Sequence, residues 1–325
     1  MTDANNRTTS DIVLGNEPPS AAEEADLGTW LTCIDQVRAG LSARARDYIL
    51  HGRGAEVLTE METLKGPVFD VLYQNVDAPI AKPARDARAR FAQFALAKNQ
   101  PMAVRAAKVL SPSNLHIKGK TLATAPPPWM ATYVRMGFLY TIPQLTSQDS
   151  RRLIPVEELV TLAAKDGLSP ESVVILVLSI RDWLPQTPLG NVFTGLPNFF
   201  VERRAEVCAI APKFDRWQFE ILVLIISQIE LVSGPYLNVM LQTLAHTSKK
   251  AEGIAARQAL SVADQRELRT FLESQLAAKS PKIRTASAKL VADFVGRPGL
   301  EALLRGLEVE VDTATRAEIE AAIAS

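Results

Sequence analysis

Apolar residues recur along this chain at three- and four-residue steps, the spacing that lines one face of an α-helix. From Asp26 the positions Trp30, Ile34, Val37, Leu41 and Ala45 predict a helix running to about Leu50, with Asp26 as its cap. Gly52-Arg53-Gly54 ends it. A second amphipathic run, through Val57, Leu58, Met61, Leu64, Val68, Val71 and Leu72, reaches about Asn75. Pro79 and Pro83 mark a linker. Residues 84–98 and 102–110 are rich in Ala and Arg, good helix formers, and read as two helices around the turn Asn99-Gln100-Pro101. Another helix is predicted near 129–140.

The middle of the chain repeats this grammar. Residues 155–166 predict a helix closed by Gly167. Ser169-Pro170-Glu171 then supplies a cap, a first-turn proline and a first-turn acid. The β-branched run 173–180 fits a strand by composition. The start signal before it, and its continuation into Asp182-Trp183-Leu184, favour a buried helix. Residues 185–198 predict a loop, and helices follow near 199–211 and 216–232. The least regular interior stretch is 111–128, with Ser111-Pro112-Ser113-Asn114, Gly119 and Pro126-Pro127-Pro128.

From Pro235 the pattern tightens into pairs. Tyr236, Val239, Met240 and Leu244 are answered by Ile254, Ala255, Ala259 and Leu260. Leu268, Phe271, Leu272 and Leu276 are answered by Ile283, Ala286, Leu290 and Phe294. Leu300, Leu303, Leu304 and Leu307 are answered by Ala317, Ile319 and Ile323. Arg284 and Arg316 hold like places in successive second helices, 32 residues apart, and Val104-Arg105 echoes Ile283-Arg284. This stretch resembles HEAT-type repeats, helix pairs with an arginine near the start of the second helix. The period is shorter than the ~40–47 residues usual for that class. The resemblance implies an all-α fold of antiparallel helix pairs stacked as a HEAT-like α-solenoid. The expected layout is an acidic disordered tail over 1–26, an N-terminal helical region over 27–125, a middle helical region over 126–234 and the repeats over 235–325. The last helix reaches the final residue without a polar capping unit. The expectation is either a piece of something longer or an end that docks on a partner.

Composition narrows this picture only slightly. The 325 residues carry 36 basic and 36 acidic side chains, so any electrostatic function must come from local segregation of charge. The N-terminus lacks the basic start and apolar middle of a signal peptide. The most apolar stretch, 219–232, falls short of the ~20 residues of a spanning helix. Cys33 and Cys208 cannot build a disulfide framework and read as thiols in a reducing compartment. The chain is therefore expected in the cytoplasm, with no membrane partner.

Catalytic, metal and cofactor signals are missing at the level of motifs. His51, His116 and His246 are scattered. Gly52-Arg53-Gly54 has Val57 where a dinucleotide fingerprint needs glycine, and Gly119-Lys120-Thr121 has Asn114 where a phosphate loop begins. Trp30, Trp129, Trp183 and Trp217 read by default as core anchors, with Trp129, after three prolines, the one candidate for a surface or interface. What survives is charge: between residues 82 and 120 nine basic residues face one acid, Asp86. Arg85, Arg88, Arg90, Arg105, Lys108, Lys118 and Lys120 form the candidate surface. If Arg85 and Arg88, and Arg105 and Lys108, share faces of neighbouring helices, they make a ridge for a polyanion, an acidic partner or the chain's own acidic tail. The expected function is a non-catalytic scaffold or adaptor that binds another protein. The alternatives are nucleic-acid binding through 82–120, and an enzyme whose site lies between helices without a motif.

Overall fold

A computed structural model of the chain describes residues 15–69, 71, 81–111, 126–139, 153–179, 189–228, 233–246 and 250–324. The fold is all-α. It divides into two compact units, one ending at Gly195 and one beginning at Leu196. That division falls inside the stretch read from the sequence as a single middle region.

The N-terminal unit begins with a helix earlier than expected. In α1 (Ala21–Leu31) the Ser20 hydroxyl accepts from the Glu23 N–H, and the Glu23 carboxylate accepts from the Ser20 N–H at 2.6 Å. This reciprocal cap satisfies two N–H groups that a helix start leaves open. Residues 21–26 are thus helix, a correction to the tail assignment over 1–26, and Asp26 sits inside α1 instead of capping it. Residues 1–14 lie outside the described residues. The helix expected to run unbroken to about Leu50 is also two elements. After α1 come a 3₁₀ turn (Thr32–Gln36) and α2 (Leu41–His51). Gly40 separates them at φ +75°, a conformation that glycine adopts without steric cost.

Next come α3 (Glu56–Thr63), α4 (Lys65–Phe69), α5 (Ala81–Lys98), α6 (Gln100–Leu110) and α7 (Pro128–Leu139). α1 packs along α5, α2 along α6, and α5, α6 and α7 pack on one another. The stripes predicted from spacing meet there: Leu27, Trp30 and Leu31 are buried against a wall that includes Phe91, with the Trp30 and Phe91 rings 6.0 Å apart. Burying one such side chain contributes about 1.5–3 kcal/mol.

A second group in this unit pairs α8 (Val156–Lys165) with α9 (Pro170–Leu178). Every residue from Val173 to Leu178 is buried. A helix apolar all round has to be enclosed, which is why period alone left it open to a strand reading. Before α8, Ile154–Pro155 pairs in parallel with Phe193–Thr194, two residues on each side.

The C-terminal unit opens with α10 (Leu196–Glu202), α11 (Arg204–Ile210) and α12 (Arg216–Gln228). Three pairs follow: α13 (Pro235–His246) with α14 (Lys250–Ser261), α15 (Gln265–Gln275) with α16 (Pro281–Leu290), and α17 (Leu300–Val309) with α18 (Thr313–Ala324). Members of each pair pack on each other, and α13 and α18 both pack on α16. Short connections make packed neighbours run roughly antiparallel. Leu268, Leu272, Ile283, Leu290, Leu303 and Ile319 fill the layer between them, and truncating one to Ala costs about 2–5 kcal/mol. Beyond α16 a single π turn (Val291–Val295) ends at Gly296. Among the described residues no helix is long and apolar enough to cross a membrane.

Candidate functional site

The basic segment is built into the N-terminal unit by named partners. Arg90 on α5 makes two hydrogen bonds to the Asp26 carboxylate of α1, at 2.8 and 2.5 Å. Lys98 lies 3.4 Å from Glu17. Backbone contacts reinforce that junction. Glu17 donates to the Lys98 carbonyl, Asn99 Nδ2 donates to the Glu17 carbonyl, and Gln100 donates to the Gly15 carbonyl. A Cβ on Gly15 would come within 2.5 Å of the Lys98 oxygen, so this approach needs glycine. Residues 15–26 therefore lie against α5 and the start of α6. Part of the acidic stretch meets the basic helix that follows it.

The other candidates go to separate places. Arg105 on α6 donates to the carbonyls of Ile49 at 2.7 Å and Leu50 at 3.1 Å, closing the C-terminal end of α2. Burial lowers its pKa from the usual value. Lys108 meets Asp166, just past α8, at 2.6 Å, and its ammonium stands over the Trp129 ring at 5.6 Å. Arg88 is 8% exposed. Arg85 lies 4.0 Å from Asp86. Lys118 and Lys120 lie outside the described residues. Trp129 is 5% exposed, a core anchor and not a surface residue; Trp217, read as a core anchor, is 47% exposed. Trp183 lies outside the described residues.

In the C-terminal unit the two arginines singled out by the repeat do the same work. Arg284 donates to the carbonyls of Ala278 at 2.9 Å and Lys279 at 3.1 Å, past the end of α15. Arg316 donates to the carbonyls of Leu307 and Glu310 at 3.3 Å, at the end of α17. Each arginine thus closes the first helix of its own pair. Arg284 does more: its guanidinium makes two 2.6 Å bonds to the carboxylate of Glu310, which belongs to the next pair. Those bonds hold the Glu310 pKa down at about 2, although burial pushes the other way.

Beside this clasp lies an open groove of about 480 Å³. Its lining includes Leu244 on α13, Ala286 and Leu290 on α16, and the threonines Thr285 and Thr315. Its rim carries three cations, Arg257 on α14 and Lys282 and Lys289 on α16, against one acid, Asp312. Arg257 pairs with Asp293 and stacks over the Phe294 ring. Lys289 lies 3.0 Å from Glu318. Neither of those two carboxylates lines the groove. Lys282 makes no ion pair among the described residues. The sequence reading passed this groove over. One signal was present: Lys282 stands in the first turn of a helix, where a positive charge opposes the dipole and acids are usual.

Elsewhere the chemistry is plain. Among the described residues no group of His, Cys, Asp and Glu side chains is placed to hold a metal ion. Burial raises the pKa of the Cys33 thiol and pushes that of Cys208 up to about 11. Compared with known protein families, curated proteins and solved structures, the chain shows no match.

Proposed function

We propose that this chain is a non-catalytic scaffold of HEAT-like helix pairs that binds another protein through its C-terminal unit. The observation that supports the reading is the repeated arginine closure in successive pairs, at Arg284 and Arg316, beside an open groove across α13, α14, α16 and α18. Stacked pairs expose a continuous run of helices that suits extended partners. The fold leaves several large apolar side chains at the surface of the same unit, among them Leu300, Leu304, Val309 and Val311. We read the chain as cytoplasmic, on two half-buried free cysteines too few and too far apart in sequence for a disulfide framework.

Affinity capture on the immobilised full-length chain, at low and high salt, tests the reading. The expected result is a discrete protein that stays bound as salt rises, because an apolar interface is weakly screened. Retention of nucleic acid alone, lost as salt rises, overturns it.

A further inference from the structure

We draw no further inference here: the strongest candidate, the exposed apolar stripe of Leu300 and Leu304 on α17, carries none because nothing in the structure shows what covers it.

Discussion

The two units use cations in opposite ways. In the N-terminal unit the basic side chains of α5 and α6 tie together segments far apart in sequence, while Arg38, Arg44, Arg46 and Arg53 pair over 6 to 22 residues. Asp26 and Arg90 are 64 residues apart, and Lys108 and Asp166 are 58 apart. Arg105 reaches 56 residues back to close α2. In the C-terminal unit the ties span 26 residues from Arg284 to Glu310 and 36 from Arg257 to Asp293, and Lys282, beside an open groove, makes no ion pair among the described residues. A run of positive charge in a sequence is therefore ambiguous. Of the denser run, the described cations Arg90, Lys98, Arg105 and Lys108 meet internal partners. The sparser set is the one that faces a cavity.

Substitutions can break that contrast, beginning with the largest effect. Arg284→Ala should destabilise the C-terminal unit by about 3 kcal/mol, because it strands the Glu310 carboxylate at 7% exposure and opens two helix-end carbonyls. Urea unfolding followed by circular dichroism reads this directly. The same contact carries a pH signature. The Glu310 pKa is depressed in the folded state, so its stabilisation is complete above the unfolded value of about 4.3 and is lost as pH falls towards 2. Glu310→Gln should flatten that part of the urea-midpoint profile. A profile as steep as that of the unmodified chain would show that other carboxylates dominate.

Arg105→Ala should cost about 2 kcal/mol in the N-terminal unit, two charge-assisted bonds to carbonyls. Asn99→Ala should cost about 1 kcal/mol, the loss of the α6 cap to the Met102 N–H at 2.9 Å. It should also speed amide exchange over residues 15–17, since Asn99 holds the Glu17 carbonyl. Lys282→Glu should be the smallest, within about 0.5 kcal/mol of neutral and stabilising if anything, as an acid now stands at a helix start. A loss of stability there comparable to Arg105→Ala would erase the contrast between the units.

Much of this fold was legible in residue spacing. The C-terminal helices fall where the spacing placed them, but Ile254, Leu300 and Leu304 of the predicted stripes are exposed, because burial is shared among several neighbours, three of them around α16. α5 and α6 were legible from composition and from Asn99-Gln100-Pro101, which sets a cap beside a first-turn proline. The break between α1 and α2 was not, since Trp30, Ile34, Leu41 and Ala45 keep one stripe across it and are all buried. Only Gly40 marks the turn, and one glycine does not reveal its φ. The start of α1 was readable from Ser20 and Glu23 but was masked by the polar composition around them. The groove had one local signal, Lys282 in the first turn of α16, and its shape had none. Arg257, Lys282 and Lys289 sit on two helices whose approach is set by packing, and no local pattern encodes that approach.

The link from Arg284 to Glu310 also has a thermodynamic consequence. A stack held only by side-by-side packing can lose its outermost layer gradually, each layer melting on its own. Here the guanidinium that finishes one layer also grips the carboxylate that starts the turn of the next. Melting α17 and α18 thus removes a partner from α16 as well. The final two layers should come apart in one step, and severing that single grip should turn one sharp melting transition into two.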